Sequence, residues 1–162
     1  MRQLVLMRHA KTEFNNVGGD KARRLTSRGV QDAQDAGVAL RQLGLDQALV
    51  STSARTRETF AALGLPIPAT FLDGLYLSGT TTIADLIGEV PSEVSGLLVL
   101  GHAPSIPDLA ATLVYASDPA QADSIAGWFP TSTFSVFTFD RDWADLFDGT
   151  PAHHWSTSRP RH

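Results

Sequence analysis

His9 and His102 each follow a short apolar run, and each has a neighbour suited to anion chemistry. The first run is Gln3-Leu4-Val5-Leu6-Met7, followed by Arg8-His9-Ala10. The second is Gly96-Leu97-Leu98-Val99-Leu100, followed by Gly101-His102. Apolar runs of about five residues that end in a turn signal read as central strands of a parallel sheet. In open α/β sheets the ligand crevice lies outside the carboxyl ends of such strands. Both imidazoles are therefore expected at one sheet edge, with the fixed charge of Arg8 beside His9. Arg55 adds a third element, in the first turn of a helix opened by Ser51-Thr52-Ser53. A helix amino terminus presents free N–H groups and partial positive charge, and a guanidinium matches phosphate oxygens in a bidentate way. Two guanidiniums and two imidazoles, with no acidic residue adjacent in sequence, describe a pocket for a dianion. An imidazole in that setting suits nucleophilic attack on a phosphoryl group.

The elements that must position these groups alternate along the chain. A strand covers about 3–8, and Asn15 to Arg24 is a polar loop containing Gly18-Gly19. Thr26-Ser27 can cap a helix running to about Leu43, with Val30, Ala33, Gly37 and Leu40 at helical spacing and Gly44 placed to end it. Gln47 to Val50 reads as a strand, and the Arg55 helix ends at Gly64. Ala69 to Leu72 is a strand, a helix covers about Thr82 to Gly88, and Leu97 to Leu100 is a strand. Ala103 to about Val114 is helical, with Pro104 and Pro107 tolerable in a first turn. Ser132 to Phe139 alternates well, and Asp140-Arg141-Asp142 turns into Trp143 to Phe147, which reads as a terminal hairpin. The tail from Ser156 to His162 reads as a loosely held terminus against the sheet edge. The βαβα order predicts an α/β fold: a three-layer α/β/α sandwich on a mostly parallel central sheet, with a C-terminal antiparallel hairpin or edge strand.

Composition narrows the class. A chain of 162 residues fits one domain, 1–162, able to bury roughly 70% of its unfolded surface. A formal charge of −4 without a basic stretch argues against nucleic acid as a partner. The absence of cysteine removes disulfides, thiolate nucleophiles and thiolate metal ligands. Four apolar residues, Leu4 to Met7, precede Arg8, too few for a signal-peptide core, and no stretch approaches the ~20 apolar residues of a membrane span. A cytoplasmic protein without membrane partners, monomeric or weakly dimeric, is expected. Adjacent His153 and His154 read as solvated, not as a metal site. Trp128, Trp143 and Trp155 read as core or edge filling, not as a stacking platform for bases.

At its chemistry-bearing residues the chain resembles the histidine phosphatase (phosphoglycerate mutase-like) superfamily. Arg8-His9-Ala10-Lys11-Thr12-Glu13-Phe14-Asn15 is similar to the family's Arg-His-Gly-x-Thr-x-x-Asn signature, and Ser51 to Thr59 to its Ser-Pro-x-x-Arg-x-x-x-Thr segment. Gly101-His102 matches its second histidine. The short length, Leu75-Tyr76, and Phe129-Pro130-Thr131 followed by Trp143-Ala144 look like the SixA-type phosphohistidine phosphatase branch. The resemblance implies that His9 attacks phosphorus and carries the phosphoryl group covalently until water hydrolyses it. It implies that Arg8, Arg55 and a protonated His102 hold the equatorial oxygens. Asn15 matches a family phosphate contact, and Arg23 a loop arginine that binds substrate. No metal or other cofactor is implied. The partner would be a phosphate-bearing substrate, such as a histidine-phosphorylated protein.

Two departures stand out. Ala10 replaces a glycine, which matters only if the backbone there needs positive φ. Mutase-like branches also carry a glutamate near Asp73-Gly74-Leu75-Tyr76 that protonates the leaving oxygen, and here Asp73 is the one nearby candidate for a general acid. Without an acid, an alkoxide leaves poorly, so phosphohistidine, aryl phosphates or acyl phosphates are favoured over sugar phosphates. The alternatives are a general small-molecule phosphomonoesterase and a non-catalytic phosphate-binding module.

Overall fold

The computed structural model describes residues 1–161. Six strands form one sheet: β1 (Arg2–Arg8), β2 (Gln47–Ser51), β3 (Ala69–Leu72), β4 (Gly96–Gly101), β5 (Phe134–Phe139) and β6 (His154–Ser158). Their spatial order is β3-β2-β4-β1-β5-β6. The pairs β1–β4, β2–β4 and β2–β3 are parallel, whereas β5 runs antiparallel to both β1 and β6. The mostly parallel α/β sheet with antiparallel C-terminal strands agrees with the sequence expectation.

Five helices cover the sheet: α1 (Ser27–Leu40), α2 (Ala54–Leu63), α3 (Thr80–Gly88), α4 (Ser105–Tyr115) and α5 (Pro119–Gly127). The period-2 alternation of the central strands sorts their side chains into two cores. Leu4, Leu6, Leu97 and Val99 pack with Ile83 and Ile87 of α3, Ile106 and Leu109 of α4, and Ile125 of α5. Val5, Met7, Leu98 and Leu100 pack on the opposite face with Ala33 and Leu40 of α1 and Leu63 of α2. Because both faces of β1 and β4 are covered, their sequences are continuous apolar runs. Among the described residues no helix is long and apolar enough to cross a membrane.

Cap chemistry matches the sequence at two ends. The Thr26 hydroxyl accepts the Gly29 N–H at 3.0 Å to start α1, and Gly64 ends α2 with φ 66°. Gly37 serves a different purpose. A Cβ there would lie 2.1 Å from the Leu63 carbonyl oxygen, so α1 approaches the end of α2 through backbone contact. Gly37→Ala is expected to cost roughly 1–3 kcal/mol through forced separation of the helices. That lowers Tm by about 2–4 °C per kcal/mol in a chain of this size; a Tm equal to wild type in a thermal melt contradicts the close approach.

Four local expectations differ from the structure. Helix α1 ends at Leu40, not Leu43, and Val30 is exposed while Gly29 is buried. Trp143 to Phe147 is not a strand: Trp143–Asp145 forms a 3₁₀ turn. The strand that pairs with β5 is β6, drawn from the tail that read as loosely held, with Phe137 opposite Trp155. Helix α5 had no counterpart in the sequence reading, although Asp118 caps it by accepting the Gln121 N–H, with Pro119 in its first turn. Of the tryptophans, Trp143 is fully buried, but Trp128 is 63% exposed and lies against the Arg159 guanidinium.

Candidate active site

The strand order brings the carboxyl ends of β2, β4 and β1 side by side. Arg8 is paired with Gly101 in the β1–β4 register, so the next residue of each strand is a histidine. The His9 N–H donates to the Gly101 carbonyl at 3.0 Å, and the imidazole centroids of His9 and His102 lie 5.4 Å apart. The antiparallel β5 enters at the same edge: the Arg8 N–H donates to the Thr133 carbonyl and the Ser132 N–H to the His9 carbonyl. Ser132 has φ 66°, so a non-glycine residue is held in the left-handed region against the His9 backbone. Ala10 has no positive φ, which explains why alanine serves where the family signature has glycine.

His9 is almost fully buried, and its Nδ1 lies 2.8 Å from the Ala10 carbonyl oxygen. A carbonyl oxygen only accepts, so the neutral ring carries its proton on Nδ1 and its lone pair on Nε2. Burial pushes this imidazole down to about 3; the Ala10 hydrogen bond opposes that shift, and the positive charges of His102, Arg55 and Arg8 add to it. The Ala10 N–H donates to Thr59 Oγ1, which itself donates to the Arg55 carbonyl, so α2 braces the turn after β1.

His102 is equally buried, with Nε2 2.8 Å from Ser51 Oγ at the end of β2. Burial, then Arg55, push it down to about 4, with Asp20 pulling the other way. The free protein therefore holds His102 neutral near pH 7, whereas the resemblance implies a protonated form with ligand bound.

Arg55 lies in the first turn of α2 behind the Ser53 cap and is 4% exposed. Its Nη1 donates to the Asp20 carbonyl oxygen at 2.8 Å and its Nη2 to Asp20 Oδ2 at 3.1 Å. Arg8 Nη1 donates to the Phe129 carbonyl at 3.0 Å; burial and the nearby Arg55 charge lower its affinity for a proton. Arg8 Nε, Arg55 Nε and His102 Nδ1 are buried atoms without a hydrogen-bond partner. Unpartnered buried polar atoms are costly, and these three belong to residues at the carboxyl ends of β1 and β4 and in the first turn of α2.

The structure brings Arg8, His9, Arg55 and His102 together, as the sequence reading expected. It treats the other three candidates differently. Arg23 donates to the Glu13 carbonyl, Thr12 Oγ1 and Asp20 Oδ1, so it is joined to Arg55 through Asp20. Asn15 is exposed, and the loop's side-chain bonds fall to its neighbour Asn16, which contacts Glu13 and Gly18. Asp73 accepts from Thr52 Oγ1 and Lys21 on an exposed rim, and those bonds hold its carboxyl below the usual range. An exposed, firmly ionised carboxylate is a poor proton donor.

Sequence reasoning missed the acid that does reach the site. Asp20 accepts from Arg55, from Arg23 and, at 2.6 Å, from the Tyr76 hydroxyl. The Tyr76 bond, followed by the two arginines, drives its carboxyl far below the usual carboxylate range. The Tyr76 ring in turn lies edge-on to His102 at 5.6 Å. The acid that the sequence offered was Asp73; folding instead brings Asp20 to Arg55, from the long loop after β1.

Comparison with known proteins agrees with this geometry. Residues 4–76 match the model of the histidine phosphatase superfamily (branch 1). The uncharacterized protein Rv1276c of Mycobacterium tuberculosis is 37% identical over 150 residues, covering 90% of this chain and 95% of that protein. The structure of a proposed phosphohistidine phosphatase SixA from Nakamurella multipartitia superposes with TM-score 0.88 at 37% identity, covering 98% of this chain and 96% of that one. A SixA counterpart from Agrobacterium tumefaciens gives TM-score 0.75 at 26% identity, covering 85% and 92% of the two chains. With residues 4–76 matching the family model and the whole fold shared at 37% identity with a SixA structure, the chain belongs to the histidine phosphatase superfamily, in its SixA-type branch.

Proposed function

We infer that the protein is a phosphatase that passes a phosphoryl group to His9 Nε2 and then to water, with phosphohistidine as the substrate class that suits its site best. The tautomer of His9 carries this reading. Its Nδ1 proton is committed to the Ala10 carbonyl, and burial keeps the ring neutral, so Nε2 is a free nucleophile at neutral pH without a separate base. The same hydrogen bond stabilises the product, because a ring bearing phosphorus on Nε2 and hydrogen on Nδ1 is cationic.

The unpartnered Nε groups of Arg8 and Arg55, and Nδ1 of His102 once the ligand has protonated that ring, supply hydrogen bonds for the three equatorial oxygens. In the first step the Nε2 lone pair bonds to phosphorus and the bond to the leaving group breaks, its electron pair departing with that group. In the second, water attacks phosphorus and returns the electron pair to Nε2. Neither Asp73, on its rim, nor the firmly ionised Asp20 supplies a proton to the first step. An alkoxide, with a conjugate acid near the pKa of water (~15.7), leaves badly under those conditions, whereas a protonated phosphoimidazole departs as a neutral ring. The partner in this reading is a protein or small molecule that presents such a phosphoryl group at the strand edge.

Phosphate release from a histidine-phosphorylated peptide, p-nitrophenyl phosphate and glycerol phosphate tests the leaving-group argument. The first two are expected to turn over, with glycerol phosphate at least about 100-fold slower, the contribution of a missing general acid. Equal kcat/KM for glycerol phosphate and the aryl ester overturns it. No release from any of the three favours a phosphate-binding module.

A further inference from the structure

Asp20 carries a charge that the phosphoryl-transfer steps leave unused. Its carboxylate is bound to the Arg55 guanidinium and to the Tyr76 hydroxyl, whose ring lies edge-on to His102. A negative charge there repels an incoming phosphoryl dianion, so a site built only to bind phosphate would be better without it. The loop nevertheless holds it firmly: Tyr76 and Arg23 anchor its two oxygens, and Lys21, one residue on, is tied to Asp73. The carboxylate is also reachable, with its side chain 47% exposed while Arg55 behind it is 5% exposed.

We propose that Asp20 is a specificity-determining residue that accepts a hydrogen bond from the far N–H of a protonated phosphoimidazole, so that the site favours a cationic leaving group over an oxygen ester. This rests on the phosphohistidine reading above. The Ala10 carbonyl already plays the equivalent part for the enzyme's own ring, accepting from His9 Nδ1 while phosphorus occupies Nε2. Asp20 gives the substrate's ring the same support, with full negative charge in place of a carbonyl dipole. The His9 Nε2–P bond forms as the substrate N–P bond breaks. The electron pair of the broken bond stays on the departing nitrogen, and the far nitrogen keeps its proton, so the ring leaves neutral. No proton has to be donated during the transfer. The charge that repels a phosphate ester is offset, for this substrate alone, by the positive ring.

Asp20→Asn tests the assignment because it removes the charge while keeping the shape, an acceptor for Tyr76 and the backbone carbonyl that holds Arg55 Nη1. The two substrates should respond with opposite signs. For the histidine-phosphorylated peptide, kcat/KM should fall about tenfold, the loss of one charge-assisted hydrogen bond. For p-nitrophenyl phosphate, KM should fall severalfold, and inorganic phosphate should inhibit at severalfold lower concentration. Asp20→Glu, which restores the charge, should recover part of the peptide activity. Equal losses on both substrates would show that Asp20 only scaffolds Arg55, and unchanged kinetics would show that it has no part; either overturns the proposal. A wild-type enzyme active on the aryl ester but silent on the peptide overturns the phosphohistidine reading, and the ring contact with it. A wild type active on the peptide with equal losses in Asp20→Asn overturns the ring contact alone.

Discussion

His9→Ala should abolish turnover, by a factor of at least about 10⁴ in kcat, the scale seen when a covalent nucleophile is deleted. Arg8 and Arg55 do not replace it, because a guanidinium has no lone pair to offer. Wild type quenched in alkali during turnover should carry a phosphoryl group on His9, stable to base and released by acid, and the variant should carry none. The fold should survive. The imidazole makes one side-chain hydrogen bond, to Ala10, so the substitution leaves a small buried cavity and one unpaired carbonyl, a cost of about 1–3 kcal/mol. The variant should still bind inorganic phosphate, because the donors on Arg8, Arg55 and His102 remain. Turnover within about tenfold of wild type would refute the covalent route, and phosphate binding by a wild type that never turns over would favour the binding module.

What made this edge legible in sequence was the parallel sheet. A strand buried on both faces reads as an unbroken apolar run, so Leu4 to Met7 and Leu97 to Leu100 located β1 and β4 and hence the two histidines that follow them. Arg55 was legible for a similar reason, since its distance from the Ser53 cap is fixed by helix geometry. Asp20 had no such ruler. It sits in an irregular loop whose path is set by Arg23, Arg55 and Tyr76 together, and no residue spacing encodes three partners from three segments.

The C-terminal error has a different physical origin. Trp143 and Leu146 are both buried, three residues apart, which is the spacing of a turn; reading Trp143 to Phe147 as a strand ignored that period. The true partner of β5, His154–Ser158, is an edge strand with alternating exposed and half-buried positions and almost no apolar content. Backbone ladder bonds and a Ser135–Thr157 side-chain pair hold it, and neither leaves a hydrophobic pattern. Helix α5 was the avoidable omission, because Asp118-Pro119 is a readable start signal.

His102 should bind its oxyanion with uptake of a proton. In the free protein burial and Arg55 push its imidazole from 6.5 down to about 4, so it is neutral between pH 6 and 8. A dianion placed against the orphaned Nδ1 favours the charged ring, which then donates from Nδ1 to the ligand and from Nε2 to Ser51 Oγ. Tungstate is a suitable probe because it is already a dianion at neutral pH. Calorimetry at pH 6.5 in buffers of different ionisation enthalpy should show uptake approaching one proton, falling to about half a proton as the pH nears 4, where the free ring is half charged. Affinity should weaken as the pH rises through the ring's ligand-bound pKa. His102→Gln should lose the uptake and, lacking a charged donor for the transition state, about 10²–10³ in kcat/KM. The same depressed values set the acid limb of stability. Protons bind the unfolded histidines near 6.5 but the folded His102 only near 4 and His9 near 3. The unfolded state therefore takes up more protons as the pH falls below 6.5, and stability should decline by on the order of a few kcal/mol toward pH 3–4. In His102→Gln that decline should be shallower. A variant that keeps both the proton uptake and the full acid slope would place these titrations on some group other than His102.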